Sequence, residues 1–267
     1  MIGLSLLLKK APLVGAFFVG ACWLGQAQAF CPAPTGLSSV QVRQVVDGDT
    51  LRLLDGRSVR LIGINAPEIG RKGRGDEPFA VAARRRLQAL VDDSDGMVSL
   101  QPGREAKDRY DRTLAHLYGR NGTSFEAQLL AEGLAFQVAI APNTDLAACQ
   151  HEAEQSARAA GLGVWRHSPA VSAAQVGDAG FALMTGRVSK LERNRGGVWV
   201  ELDDSVVLHF APKVLGSFSD EWFERLGGRQ LEARGWVIDR SRRGNVSAGQ
   251  LRWMVPVTDP TMVQILP

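Results

Sequence analysis

The sequence predicts a β-rich α+β fold in two consecutive parts. The first part alternates short β-rich runs with stretches of helical periodicity, and the second returns to β-rich runs around one helix. Residues 167–180 are small, polar and poor in hydrophobic periodicity, which is typical of a linker. At 267 residues, 45% hydrophobic and 22% charged, the chain has the length and composition of two modest globular domains.

The amino terminus resembles a secretory signal peptide. Two lysines precede an apolar stretch that ends in an A-x-A cleavage pattern, Ala27-Gln28-Ala29. The apolar stretch is short for a bilayer span, which disfavours a retained membrane anchor. Residues 19–22 also resemble a lipobox, whose Cys22 would carry a lipid. The sequence therefore predicts an exported protein, periplasmic or secreted, with a membrane-anchored lipoprotein as the alternative.

Charge and cysteine content limit the possible functions. The formal charge of +3 falls to +1 when the two leader lysines are removed, leaving 29 basic against 28 acidic residues. Because the balance is near neutral, any nucleic-acid binding must depend on a local basic patch. Cleavage would leave Cys31 and Cys149, and two cysteines in an exported protein favour one disulfide. Two free thiols are the alternative, since sequence gives no distances.

The elements of the first part follow from local patterns. Asp55-Gly56 is a strong tight-turn signal between two β-rich runs, and Ser124 is a candidate helix cap. In the first predicted helix the apolar residues share one face, so Arg84–Arg86 are expected to face solvent. The predicted strands cover 40–46, 50–54, 59–64, 97–100 and 113–118, and the predicted helices cover 78–91, 124–133 and 146–160.

The second part begins near Phe181. Several short β-rich runs flank one helix candidate, Ser219–Leu226, and this pattern predicts a second small β-barrel of OB-like type. Three of its tryptophans, Trp199, Trp236 and Trp253, fit either a base-stacking platform or, by preference, the core. No clear sequence repeat relates the two parts, so the second is interpreted as an accessory domain whose ligand the sequence does not give.

Oxygen-bearing and guanidinium side chains converge in the first part. Asp47 and Asp49 precede one predicted strand, while Asn65 and Glu68 follow the next, which carries Arg60 among apolar residues. Hard cations such as Ca²⁺ prefer oxygen ligands, and the planar fork of arginine suits phosphate. Alone, Asp47-Gly48-Asp49 would be only a hairpin turn. Together with a second arginine, Arg112, these residues favour a metal-dependent site for a phosphodiester.

Five separated motifs resemble those of the staphylococcal nuclease family. They occur in the family's order and span residues 36–166. The motifs are the DGDT turn Asp47–Thr50, the strand Arg60–Glu68, the segment Arg109–Arg112, the helix and GLA run Phe125–Ala135, and the closing Gly161–Trp165. The resemblance implies a five-stranded OB-type barrel with helices and a Ca²⁺-dependent endonuclease that hydrolyses DNA or RNA with metal-activated water, leaving 3′-phosphates. The sequence thus divides into a signal peptide (1–29), a nuclease domain (36–166), a linker (167–180) and an accessory domain (181–267).

The resemblance also implies a role for each matching residue. Asp49 and Asn65 are the metal side-chain ligands, and Ala66 supplies a backbone carbonyl. The residues implied to be catalytic are Arg60, Glu68 and Arg112. Arg109 and Tyr110 are expected to line the nucleotide pocket. DNA or RNA is then the only partner implied, and the protein is expected to be a monomer without a stable protein partner.

Two departures from the family pattern stand out. Asn65 replaces the usual second metal carboxylate, and the lost negative charge should weaken Ca²⁺ binding. Val138 and Ile140 stand where two tyrosines contact phosphate and base, so substrate preference should differ. Two alternatives follow: a nucleic-acid-binding module with weakened catalysis, or an envelope protein-interaction module. Retention of both arginines and of the glutamate favours the enzyme.

Overall fold

The computed structural model describes residues 30–70, 73–244 and 249–267. The predicted signal peptide, 1–29, and the candidate lipidation site, Cys22, lie outside these residues. Within the described part of the chain, no helix has both the length and the apolar character needed to cross a membrane.

The first part folds into a closed five-stranded barrel with three helices, as predicted. β3 and β6 are parallel, and the other neighbours are antiparallel. In the order in which they lie around the barrel, the strands are β1 (Ser38–Val45), β2 (Thr50–Leu53), β3 (Ser58–Leu61), β6 (Thr113–Tyr118) and β5 (Met97–Lys107). Outside the barrel, β4 (Ile64–Asn65) pairs with β7 (Phe136–Gln137) as a separate two-stranded sheet.

Three helices cover this barrel: α1 (Ala80–Asp92), α2 (Phe125–Ala131) and α3 (Ala147–Ala159). Ser124 caps α2, as predicted, by accepting the amide hydrogen of Ala127. The prediction that the arginines of α1 face solvent is wrong for Arg86. Its guanidinium donates to both carboxylate oxygens of Glu132, at 2.8 and 2.9 Å, and so joins α1 to the end of α2.

A disulfide joins Cys31 to Cys149 across 118 residues. Cys31 is buried in the first core, and Cys149 belongs to α3. The bridge therefore fixes the beginning of the described chain to the helix that closes the first part, as the sequence favours.

A second five-stranded barrel follows, again as predicted. Its strands, in spatial order, are β9 (Gly180–Asn194), β10 (Gly197–Leu202), β11 (Val206–Phe210), β13 (Trp253–Val257) and β12 (Gln230–Asp239), which pairs back with β9. β14 (Val263–Ile265) extends β12, and the predicted helix forms as α4 (Asp220–Glu224), capped by Ser219. Part of the predicted linker is folded, because β8 (Val171–Ser172) pairs with β9 and Ala173 is buried.

The two barrels share one topology although their sequences show no repeat. In each, the first three strands form a meander, the third strand pairs in parallel with the fifth, and the fourth closes onto the first. In each, a helix precedes the fourth strand, which is α1 in the first barrel and α4 in the second. This is the OB-type arrangement that the sequence predicts for both parts.

The three tryptophans on the strands of the second barrel, Trp199, Trp236 and Trp253, are neither fully buried nor free of contacts. Trp236 packs edge-on against Phe181, with ring centroids 5.5 Å apart. Trp199 stacks on His209 at 3.9 Å and lies within 5.6 Å of the guanidinium of Arg240. Trp253 is half-buried against the barrel core. They therefore combine core packing with surface contacts, and neither sequence interpretation describes all three.

Candidate active site

The turn between β1 and β2 carries two buried carboxylates. Asp47 and Asp49 are both buried, and the backbone amide of Asp49 donates to Oδ1 of Asp47 at 3.2 Å. Gly48 between them lies so close to Ala66 and Ala83 that an added Cβ would be 2.6 Å from each of their Cβ atoms. Only glycine fits there, so the turn is pressed against both α1 and the loop after β4.

The Asp49 carboxylate is held by hydrogen bonds from two elements. Its Oδ2 accepts the amide hydrogen of Ala66 at 2.8 Å, and its Oδ1 accepts the hydroxyl hydrogen of Thr50 at 3.0 Å. Burial raises the pKa of Asp49 to about 6, and the nearby Asp47 adds to the rise, while Arg60 opposes both. The negative charge of the ionised Asp49 carboxylate is therefore only partly compensated by the positive charge near it.

Arg60 supplies part of that positive charge. Its Nη2 lies 3.1 Å from Oδ2 of Asp49 and 3.4 Å from Oδ1 of Asn65, and its Nη1 donates to the carbonyl of Leu61 at 3.0 Å. Only 12% of the Arg60 side chain is exposed, so this guanidinium is fixed by its partners. The structure thus brings together three of the residues that the sequence predicts for the site.

Asn65 ends β4, and Ala66 begins the loop that follows it. Asn65 pairs with Phe136 through the short sheet of β4 and β7. The observed contact of Ala66 with Asp49 is through its amide hydrogen, which is not the carbonyl predicted to bind metal. Ala66 thus contacts the Asp49 carboxylate through its amide, and Asn65 lies close to the same carboxylate because both accept from one nitrogen of Arg60.

Glu68 lies at the exposed edge of this loop. Its backbone exchanges hydrogen bonds with Glu77: the Glu68 amide donates to Oε2 of Glu77 at 2.9 Å, and the Glu68 carbonyl accepts the Glu77 amide hydrogen at 3.0 Å. The main chain of Glu68 is therefore anchored, three residues beyond Asn65, and the residue as a whole is exposed.

Arg112 immediately precedes β6, the parallel neighbour of the strand that carries Arg60. Its guanidinium forms two contacts of 2.7 Å with Oδ2 of Asp108. Asp108 also accepts the amide hydrogens of Tyr110 and Arg112 on its other oxygen. Partial burial opposes ionisation of Asp108, but the hydrogen bonds from Arg112 outweigh it and keep the pKa of Asp108 below its usual value.

Asp108 is a site residue that the sequence interpretation missed. It fixes both the backbone and the side chain of Arg112. The sequence feature that could have indicated it is the Asx-turn pattern, an aspartate two residues before a turn residue. Tyr110 is 64% exposed beside it. Arg109 donates to the Tyr110 hydroxyl at 2.7 Å, and the Arg109 and Arg112 guanidinium carbons lie 4.8 and 5.5 Å from the ring centroid.

The two positions that replace tyrosines differ in exposure. Val138 is buried, whereas Ile140 is 50% exposed. An exposed aliphatic side chain can contact a base or sugar, but it cannot donate a hydrogen bond to phosphate. Tyr110 is therefore the aromatic side chain that the described residues present beside the arginines.

The donors at Asp49 suit a hard cation. One carboxylate, one amide oxygen and one backbone carbonyl are ligand types that Ca²⁺ takes. Burial, which raises the pKa of Asp49, disfavours its ionised form, and a bound cation would offset that cost. The described residues contain no group of three or more His, Cys, Asp or Glu side chains placed to hold a metal. The residues present thus fit Ca²⁺ with a low ligand charge, as Asn65 leads one to expect.

The fold and these side chains define an OB-barrel protein with an arginine-containing polar site on its first barrel. The family profile described as "Staphylococcal nuclease homologue" matches residues 58–167. The thermonuclease of Staphylococcus intermedius is 32% identical over 130 residues, which is 48% of this chain and 76% of that protein. The thermonuclease of Staphylococcus hyicus is 29% identical over 129 residues, which is 47% of this chain and 74% of that protein. This chain belongs to the staphylococcal nuclease family.

Proposed function

We propose that this protein is an exported, Ca²⁺-dependent nuclease that hydrolyses phosphodiester bonds of DNA, RNA or both. The observation that carries the proposal is the contact of Arg60 with both Asp49 and Asn65, 3.1 and 3.4 Å from one nitrogen. A guanidinium, which suits phosphate, lies there beside oxygens that suit a cation, and this supports the proposal. The thermonucleases to which the chain is similar are named for the same activity.

The proposed roles follow from the positions of the side chains. Arg60 and Arg112, on neighbouring parallel strands, bind the non-bridging oxygens of the scissile phosphate and stabilise the charge that grows on them. Glu68, exposed at the edge of the site, orients the attacking water and accepts its proton. Asp49, Asn65 and the Ala66 carbonyl would hold Ca²⁺, which when bound supplies positive charge to the phosphate.

The nucleotide next to the scissile bond is proposed to lie on Tyr110. Its exposed ring offers a stacking surface, and Arg109 adds a positive charge at its hydroxyl.

By family resemblance the products carry 3′-phosphates. Residues 36–166 are proposed to be the nuclease domain and 181–267 an accessory domain, and the protein is proposed to act as a monomer without a stable protein partner.

Export is part of the proposal. The predicted signal peptide and the disulfide between Cys31 and Cys149 both suit an oxidising compartment. The alternative is a lipoprotein anchored through Cys22, which would reach the same compartment.

A second candidate function has one observation in its favour. With Asn65 in place of a carboxylate, Asp49 is the only acidic member of the proposed metal-ligand set. A protein with so little ligand charge could bind nucleic acid through Arg109 and Arg112 while hydrolysing it slowly.

A degradation assay separates the two functions. Residues 30–267 are incubated with single-stranded DNA, plasmid and RNA in Ca²⁺, in Mg²⁺ or in chelator, alongside Glu68→Ala. The nuclease predicts cleavage with Ca²⁺, none with chelator, and loss of cleavage in Glu68→Ala with nucleic-acid binding retained. Saturable, salt-sensitive binding without cleavage at any Ca²⁺ concentration would favour the binding module.

A further inference from the structure

The strand β7 pairs with β4, the short strand that ends at Asn65. Asn65 pairs with Phe136, and Ile64 pairs with Gln137, in the two-stranded sheet of β4 and β7. The amide of Val138 extends the pairing by donating to the carbonyl of Gly63 at 2.9 Å. Because two-residue strands have few hydrogen bonds of their own, β4 depends on whatever fixes β7.

The second barrel fixes β7 directly. Arg234 of β12 donates from Nη1 to the carbonyl of Gln137 at 3.3 Å, and the Gln137 side chain donates to Oγ1 of Thr261 at 3.1 Å. Just past β7, the hydroxyl of Thr258 donates to the carbonyl of Ala139 at 2.5 Å. Two side chains of the second part thus contact β7, and a third contacts Ala139 two residues after it.

A buried ion network makes this attachment rigid. Arg234 contacts Glu154 of α3 and Glu232 of β12, and all three are at most 3% exposed. Glu154 also accepts the amide hydrogen of Gln137 at 2.7 Å, and Glu232 pairs with Arg158 of α3. Because an unpaired buried charge is costly, the network is satisfied only when the second barrel is docked against α3 and β7.

We propose that the second barrel positions the metal-binding loop. Arg234 and Thr258 fix β7, β7 fixes β4, and β4 places Asn65 beside Asp49. The proposal rests on the proposed function in that Asn65 is taken as a Ca²⁺ ligand. A neutral amide attracts Ca²⁺ less than a carboxylate does, so its contribution depends more on being held in place beforehand. Arg234 and Thr258 touch no substrate and act as positioning residues.

The test uses the full mature chain and two readouts that do not require activity. Thr258→Val removes the hydroxyl at nearly constant volume. In Ca²⁺-free protein, hydrogen exchange of the Val138 amide should become about tenfold faster. Calorimetry should show Ca²⁺ affinity weakened by about fivefold, a loss of the size expected for one hydrogen bond. Thr258→Ser, which keeps the hydroxyl, should restore both values.

A matched control deletes a hydroxyl elsewhere in the same barrel. Ser205 donates to the carbonyl of Asp203 at 3.1 Å in the β10–β11 turn. Ser205→Ala should leave the Val138 exchange rate and the Ca²⁺ affinity unchanged, although it too removes a hydrogen bond from the second barrel. Arg234→Met should act in the same direction as Thr258→Val and more strongly, by about tenfold in Ca²⁺ affinity.

Two results would overturn the proposal. One is a Val138 exchange rate in Thr258→Val equal to that of the wild type. The other is faster exchange with unaltered Ca²⁺ affinity, which would show that β7 does not position Asn65. If the wild-type protein binds no Ca²⁺ at all, the proposed metal site fails, and with it the role assigned here to Asn65. The exchange rates would then still decide whether the second barrel holds β7. If Arg234→Met does not fold, the comparison of Thr258→Val with Thr258→Ser still tests the proposal.

Discussion

One terminal nitrogen of Arg60 contacts both Asp49 and Asn65, at 3.1 and 3.4 Å. The same oxygens are those proposed to bind Ca²⁺, so the guanidinium and the cation compensate the same buried charge. With a cation bound there, Arg60 would be free to contact a phosphate. Metal binding and substrate binding are therefore expected to support one another.

Replacing Arg60 should reduce the rate of hydrolysis. Arg60→Ala is expected to lower kcat by about 100- to 1000-fold, because a fixed donor to the developing charge is lost. Arg60→Lys keeps the charge but not the two-pronged fork, so its kcat should lie between those of wild type and Arg60→Ala. Steady-state kinetics on a single-stranded oligonucleotide measure both. Arg52→Ala, an exposed arginine on the adjacent strand β2, is the control and should keep the wild-type rate.

Asn65→Asp should tighten Ca²⁺ binding by about tenfold, since ligand charge is a main determinant of affinity. Calorimetric titration measures the change. Asn121→Asp adds the same charge in an exposed loop, where the side chain accepts the amide hydrogen of Thr123, and should leave affinity unaltered. Equal affinities for wild type and Asn65→Asp would show that residue 65 does not contact the metal.

Ca²⁺ affinity should depend on pH through Asp49. Burial raises the pKa of this carboxyl to about 6, and only its ionised form binds a cation. Below pH 6 the affinity should therefore fall by about tenfold per pH unit, and well above it the affinity should level off. Calorimetry between about pH 5 and pH 8 provides the test. A constant affinity across this range would contradict the assignment of Asp49.

The same shift affects the stability of the Ca²⁺-free protein. The folded state retains the Asp49 proton up to about pH 6, whereas the unfolded chain loses it near the ordinary aspartate pKa of 3.8. The unfolded state therefore binds fewer protons in this window, and the contribution of Asp49 to the free energy of unfolding decreases as pH rises through it. Asp49→Asn should remove this contribution, which urea unfolding at pH 4 and pH 7 can detect.

Reduction of the disulfide should destabilise the protein. The bridge between Cys31 and Cys149 closes a loop across 118 residues. Its loss should lower the free energy of unfolding by about 2–5 kcal/mol, mainly because the unfolded chain is no longer constrained. Urea unfolding with and without reductant measures the loss. A Cys31→Ser, Cys149→Ser double variant should already show the lower stability and should not respond to reductant.

Much of the fold was predictable from local sequence patterns. The β6 strand, the Ser124 cap and the second barrel with its single helix all follow from periodicity, turn and capping signals. Arg60, Asn65 and Asp49 were also brought together correctly, because they border adjacent strands. These features depend on residues near one another in the chain or on strands joined by one turn.

The remaining features depend on contacts between distant residues, which patterns do not encode. Arg86 looked like part of a solvated charge run, but its partner Glu132 lies on another helix. Arg234 carries no local signal of burial, and only the docking of the two barrels gives it Glu154 as a partner. Asp108 is the exception, because its partner Arg112 is only four residues away and the Asx-turn pattern is a local signal for it.

Single-turnover cleavage of a single-stranded oligonucleotide, measured as Ca²⁺ is varied for wild type and Asp49→Asn, tests the central claim most directly. The wild-type protein should cleave with Ca²⁺ and stop in chelator, and Asp49→Asn should be slower by about 100-fold or more even at high Ca²⁺. Cleavage by the wild type that persists in chelator, or full activity in Asp49→Asn, would contradict the account.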